Sequence, residues 1–322
     1  MLARRGFVGL GIAAATGLPA RAATYPAKPL RLLVAFPPGG PSDVLARIVG
    51  QQLNQELEQS VVVDNRPGAG GNVAAEIAAK QAPDGYTLLM ANNSILAANA
   101  FLYQNLTFNP LTDFDPVALI GRQPNILVVS PQLGVGSVAD LIALAKAKPG
   151  QLNFGSSGNG TAAHLAGELF RLQAGIDIVH VAYPGVAPAL TDLISGQIQM
   201  MFATSVAAIP FMQSGTLKAL AVTTARRTAA ADYLPTMQEA GLPNFEATTW
   251  HGLVVPAHTE PAIIDRLNKA TLDAVHRLDV SRRLAALGVE VVGSTPAQFA
   301  TFIAAESAKW GNVIKRAGVH LG

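Results

Sequence analysis

Twice along the 322-residue chain a strand-like, mostly apolar segment stops at a glycine-rich turn and passes straight into a helical stripe. The first run is Leu30–Phe36. It is followed by Pro37-Pro38-Gly39-Gly40-Pro41-Ser42 and a stripe at Val44, Leu45, Ile48, Val49, Leu53 and Leu57. The second is Leu152–Gly155, followed by Ser156-Ser157-Gly158-Asn159-Gly160 and a helix over Thr161–Gln173 with Gly175 as its stop. A strand apolar along most of its length needs cover on both faces, and strand–helix alternation supplies it. The repeat therefore confines the chain to α/β layers with parallel strands.

The surrounding segments extend each unit. Val61–Val63 and Thr87–Ala91 read as strands with a helix at Val73–Ala79 between them. In the second unit Ile126–Val129, Ile178–Ala182, Ile198–Phe202 and Leu217–Val222 read as strands, and Val138–Ala147 and Pro188–Ser195 as helices. Ser137 with Asp140 forms a capping box for the first of these helices. The remainder holds a strand at Gly252–Val255, a helix from Pro261 to near Leu278 and another from Pro296 to near Arg316, which is not a complete unit. The expected architecture is two lobes, each a doubly wound, mostly parallel sheet with helices on both faces. The C-terminal segment returns to complete the first lobe. Lobe one is residues 23–121 plus 247–322, and lobe two is residues 122–246. Crossings near Ile120–Gln123 and Phe245–Gly252 form a hinge, since no Gly/Ser-rich or charged tether separates the units.

Composition excludes several classes. The chain has no cysteine, hence no disulfide scaffold, thiol nucleophile or thiolate metal site. Arg4 and Arg5, a charge-free run Phe7–Leu18 and Ala20-Arg21-Ala22 make residues 1–22 a cleavable export leader, compatible with either a Sec or a twin-arginine signal. Removing it takes away three arginines and no acid. The 23 basic residues fall to 20 against 21 acidic ones, a net charge of −1. No basic stripe with interleaved aromatics remains, so nucleic acid is not an expected partner. The six histidines include no H-x-x-x-H pair, and neither a metal nor a cofactor is expected. His180 reads as a core residue, Trp250 as packing near the hinge, and Arg66 as part of a structural ion pair or loop hydrogen bond.

The two glycine-rich turns are where chemistry is expected. In Pro37–Asp43 the glycines let a ligand approach the backbone, and Pro41 starts the helix without wasting an amide. The free amides of the first helical turn then face the crevice at the strand's end, where a helix N-terminus attracts an anion. Ser156–Thr161 repeats this geometry, with His164 one turn into its helix. Gly158, Gly160 and Ala163 faintly match a dinucleotide fingerprint, but Ile178–Ala182 ends in Tyr183-Pro184 with no acid. Ser157, His164 and Asp192 contain the residue types of a hydrolase triad but lack a G-x-S-x-G elbow. No catalytic residue is expected.

The motifs together resemble the Bug-type substrate-binding receptors of tripartite tricarboxylate transporters. The resemblance runs through Phe36-Pro37-Pro38-Gly39-Gly40 with Asp43 and Arg47, Asn65–Gly71, Pro83–Leu88, Asn153–Ser156, His164–Leu169, Tyr183, Gly185, Pro188, Ala189, Asp192, Gly196-Gln197, and Trp250 with Gly252-Leu253. It implies a type II periplasmic-binding-protein-like fold, a small carboxylate held largely by backbone amides and waters, and membrane transporter subunits as partners. A side wall would come from Asn92, Asn93 and Ser94, with help from Tyr183 and Gly185. The sequence departs from relatives at Ala203-Thr204-Ser205, where an acid is common, at Pro184, where a lysine is common, and at His251, where an aromatic is usual. The expected ligand-binding set is Pro38, Gly39, Gly40, Ser42, Asp43, Asn93, Ser94, Ser156, Ser157, Gly158, Gly160, Thr161, His164, Tyr183, Gly185, Ala203 and Thr204. The expectation is a monomeric periplasmic receptor, not an enzyme. A receptor feeding a two-component sensor and a secreted serine hydrolase are the competing readings.

Overall fold

A computed structural model describes residues 25–228 and 231–321. The expected leader, residues 1–22, lies outside the described residues. Strand β1 (Leu30–Val34) buries every side chain but Arg31, and leads into helix α1 (Pro41–Leu57), which packs Leu45, Ile48, Val49, Leu53 and Leu57 inward. Next come β2 (Val61–Asn65), α2 (Asn72–Ala79) and the wholly buried β3 (Thr87–Asn92). A single π turn at Ser94–Ala98 joins a short α3 (Asn99–Leu102). The following strand, β4 (Phe114–Val129), is 16 residues long. The second unit is α4 (Val138–Ala147), β5 (Leu152–Ser156), α5 (Ala162–Ala174), β6 (Ile178–Ala182), α6 (Val186–Ser195), β7 (Met200–Thr204), α7 (Ser205–Gln213) and β8 (Lys218–Val222). The chain ends with β9 (Thr248–Pro256), α8 (Pro261–His276), α9 (Leu278–Ala286), β10 (Glu290–Val291) and α10 (Pro296–Ala317).

The strand order is β2-β1-β3-β9-β4-β7-β5-β6, with β8 and β10 also paired to β4. Each lobe carries a parallel run, β2-β1-β3 in one and β7-β5-β6 in the other. The crossing strands add to these runs antiparallel, which makes the sheet mixed. A strand that passes from one lobe to the other has a single direction and cannot match both runs. Thus β4 pairs with β9 from Phe114 to Pro124, then with β7 and β8 from Asn125 onward. The return crossing lies beside it. Thr248 of β9 is opposite Pro124, and Ala247 N–H donates to Thr223 O at 3.0 Å.

A small polar knot ties the two crossings. The buried Asn125 donates through Nδ2 to Ala247 O (2.9 Å) and accepts the Thr249 hydroxyl at Oδ1 (3.0 Å). The Thr223 hydroxyl donates to Ala247 O at 2.6 Å. Every partner here belongs to one of the crossings or to the end of β8, so the hinge carries satisfied, specific bonds.

Helices α8 and α9 pack on α1, and β10 pairs with β4 at Gly121 and Arg122. Helix α10 does more, because it lies against β4, the π turn and α5 of the second lobe. Its Glu306 Oε2 accepts the indole N–H of Trp250 on β9 (2.8 Å) and of Trp310 (2.9 Å). Arg171 of α5 reaches its last turn, donating to Ala317 O at 2.8 Å. Phe154, Phe170, Phe202, Phe245, Trp250, Phe299 and Trp310 accordingly belong to one apolar cluster spanning both lobes.

Candidate ligand-binding cleft

At the end of β1 the chain turns sharply, and Gly39 takes a positive φ of 79°, open to glycine without penalty. Its N–H donates to Asp43 Oδ2 (2.9 Å), while Gly40 caps α1 and Pro41 opens it. Asp43 is buried and faces away from the cleft. It also accepts Arg47 Nε (2.9 Å) and Asn65 Nδ2 (2.9 Å). Burial alone would raise its carboxyl, but hydrogen bonds from Arg47, the Gly39 amide and Asn65 hold it below the ordinary carboxylate range. Beside it Ser42 Oγ meets His251 Nε2 at 2.8 Å. Full burial depresses His251 to about 4, so at neutral pH the ring is uncharged.

The second turn is held from behind by neutral groups. Ser156 Oγ lies 2.7 Å from His180 Nε2 and accepts the Gly158 N–H at 3.2 Å. His164 Nδ1 accepts the Gly160 N–H at 3.1 Å, which leaves the ring's proton on Nε2. The two imidazoles stack with centroids 4.0 Å apart. Burial lowers both, His164 to about 3, with the His180 charge as a second cause, and His180 to about 4. Thr161 caps α5 and donates its hydroxyl to Gly158 O at 2.7 Å. Gly160, at φ 74°, lets the two lobes meet. A Cβ there would lie 2.6 Å from Asn99 Oδ1 of the first lobe.

Between the lobes lies a cleft of about 500 Å³. Its wall includes the N-cap residues of four helices: Gly40 of α1, Thr161 of α5, Gly185 of α6 and Thr204 of α7. Sequence reasoning anticipated the first two as opposed anion-facing termini. The other two converge on the same space. No Asp, Glu, Lys or Arg is among the described residues of the wall. An anion there would meet helix ends and amides rather than a cationic side chain.

Of the expected set, Pro38, Gly39, Gly40, Ser42, Asn93, Ser157, Thr161, Gly185 and Thr204 line the cleft. Asn93 spends its side chain on β9, donating to Thr248 O (3.0 Å) and accepting the Trp250 N–H (2.9 Å). Asp43, Ser94, Ser156, Gly158, Gly160, His164, Tyr183 and Ala203 are not on the wall. Asp43, Ser156 and His164 brace the turns as described. Tyr183 donates its hydroxyl to Asp192 Oδ2 at 2.7 Å, and Ser94 N–H bonds Asn92 Oδ1 at 3.1 Å. With His164 and Asp192 so engaged, Ser157, His164 and Asp192 do not assemble into a triad. Sequence reasoning missed Asn125 and Thr249 from the crossings and an apolar side formed by Phe36, Val186, Ala187, Met201 and Phe202. No local motif marks these residues, which read as ordinary core or strand. Two departures from the family pattern, Pro184 and His251, also face the cleft.

The family model described as "Tripartite tricarboxylate transporter family receptor" (TctC) matches residues 45–319. The chain belongs to this family. Protein BugT of Bordetella pertussis is 39% identical over 98% of this chain and 97% of its own. Among solved structures, R. palustris Rpa4515 with adipate superposes with a TM-score of 0.88 at 38% identity, covering 92% of this chain and 100% of that one. MatC (Rpa3494) from Rhodopseudomonas palustris with bound malate gives 0.85 at 31% identity, covering 90% and 100%. The receptor thus has the periplasmic binding protein fold. Its family and its structural neighbours are solute-binding proteins and not enzymes.

Proposed function

We propose that this receptor captures a small organic carboxylate in the periplasm and delivers it to the membrane subunits of a tripartite tricarboxylate-type transporter. The leader over residues 1–22 would export it, by the Sec or the twin-arginine route. The observation that carries the reading is a cleft on which four helix N-termini converge, with no charged side chain among the described residues of its wall. Such a wall stabilises an anion through amide dipoles, while its apolar side suits a carbon skeleton. The adipate and malate held by relatives support the ligand class. Gly39, Gly40, Ser42, Ser157, Thr161, Gly185 and Thr204 would contact the ligand, with Ser42 and His251 adapting a shared proton to it. The lobes would be residues 23–121 plus 247–322 and residues 122–246. The switch of β4 from one set of partners to the other at Pro124 and Asn125 supports a boundary slightly later than residue 122. The chain would act as a monomer, with closure driven by the ligand's preference for the closed form.

The test is a thermal-shift and calorimetric screen of adipate, malate, aromatic acids and amino acids, with X-ray scattering of the bound state. A carboxylate should raise the unfolding midpoint and compact the molecule. Gly40→Val and Gly185→Val should abolish that binding while unfolding stays cooperative. Unchanged affinity in both variants would place the ligand elsewhere.

A further inference from the structure

A second cleft, of about 610 Å³, lies against the same crossing strands. It shares no lining residue with the first. Pro124 and Thr248 line it, whereas the next residues, Asn125 and Thr249, line the carboxylate cleft. On each crossing the change of cleft falls between neighbouring residues, so the two clefts lie on either side of the hinge. Its other walls come from both lobes: the segment after β8, with Arg226 and Arg227, and the α9–β10 segment, with Glu290.

This cleft is charged where the first is not. Arg122 and Arg226 face it together with Glu246 and Glu290, and among the described residues none of these four makes an ion pair. Arg227 is already paired with Glu239. Two shielded atoms on β4 also go unmet: the donor Arg122 Nε and the acceptor Oε1 of Gln123, a residue only 3% exposed. The Gln123 amide cannot simply be flipped, because its Nε2 donates to Leu287 O at 3.1 Å. Both atoms are closed off from the open space of the cleft, so what it offers a ligand is its four charges that are unpaired among the described residues, two of each sign.

We propose that this rear cleft binds a small amino carboxylate. Its carboxylate would lie between the Arg122 and Arg226 guanidinium groups. Its ammonium would face Glu246 and Glu290. A simple anion would leave the two glutamates unanswered, and a simple cation would leave the arginines so. The inference is independent of what the front cleft carries.

The test is calorimetry or ligand-observed NMR on the whole receptor with L-alanine, L-serine and 4-aminobutyrate. Acetate and methylamine serve as half-molecule controls. At least one amino carboxylate should bind about tenfold or more tighter than either half. Arg226→Gln, at the exposed rim, and Arg122→Gln should each weaken it by about tenfold. Gly40→Val in the front cleft should leave it unchanged. Equal binding by Arg226→Gln and the parent overturns the proposal, even if Arg122→Gln fails to fold. Loss of amino carboxylate binding in Gly40→Val places it in the front cleft and also overturns it, while leaving the carboxylate function standing. Failure of all three probes to saturate overturns it as well.

Discussion

The turn after β1 and the turn after β5 each end a buried strand, open a helix and present its first amides to the same cleft. Behind that common surface they are braced by opposite chemistry. The first leans on an ionised carboxylate, Asp43, which gathers an amide, a guanidinium and a side-chain amide. The second leans on Ser156 and two stacked neutral imidazoles. Identical presentation does not require identical support. What the site needs is a rigid backbone, and either an ion or a neutral hydrogen-bond network provides one.

The contrast can be broken most forcefully with acid. His164, His180 and His251 sit at about 3, 4 and 4 in the folded protein, below the 6.5 they recover on unfolding. The unfolded chain then binds protons the native rings refuse. Their contribution is intact above pH 6.5 and is lost as pH falls toward 4, at about 1 kcal/mol per pH unit per histidine. Asp43 has a lowered folded value, so its contribution holds down to the ordinary carboxylate range and disappears only below it. Urea unfolding across pH 4–7 should show that slope, shallower in His180→Gln. A flat profile in the parent would remove the neutral-imidazole account of the second turn.

Side-chain truncation should separate the turns next. Asp43→Ala strips three donors of their buried acceptor and should cost about 2–3 kcal/mol, moderated because Arg47 is half exposed and can turn to water. Ser156→Ala should cost only about 1 kcal/mol. Equal losses by chemical denaturation would erase the distinction between ionic and neutral bracing.

A smaller contrast concerns hydroxyls at the cleft itself. Ser42 is bonded only to His251, so Ser42→Ala should weaken a bound carboxylate roughly tenfold with little change in stability. The Thr161 hydroxyl is spent on Gly158 O and on capping α5, so Thr161→Ala should cost about 1 kcal/mol of stability. Calorimetry paired with thermal melts checks both. The smallest expected effect is that of salt. With no charged side chain on the wall, carboxylate affinity should move less than about twofold between low and high ionic strength.

The fold was largely legible because its signals are local. Helix α4 and strand β6 begin and end at their expected residues, the helix because Ser137 accepts the Asp140 N–H at its start. The first half of β4 was not legible. Pro116, Gly121, Arg122, Gln123 and Pro124 break any apolar run, and the segment becomes a strand only through pairing with β9, which is distant in sequence. Helix α7 was hidden by its internal Pro210, and the break between α8 and α9 by the lack of Gly or Pro at Arg277, where ψ is 135°. At the site, the glycines announced the two turns. Asn125 and Thr249 could not announce themselves, since what makes them cleft residues is where two crossings lie side by side.

The carboxylate of Glu306 has an optical consequence. Residues Trp250 and Trp310 are the only two tryptophans of the chain, both fully buried, and their ring nitrogens share that one acceptor. All native indole emission therefore originates from a single polar junction between the return crossing and the last helix. Any rotation of the lobes that strains this junction would be read directly as a change in unlabelled fluorescence.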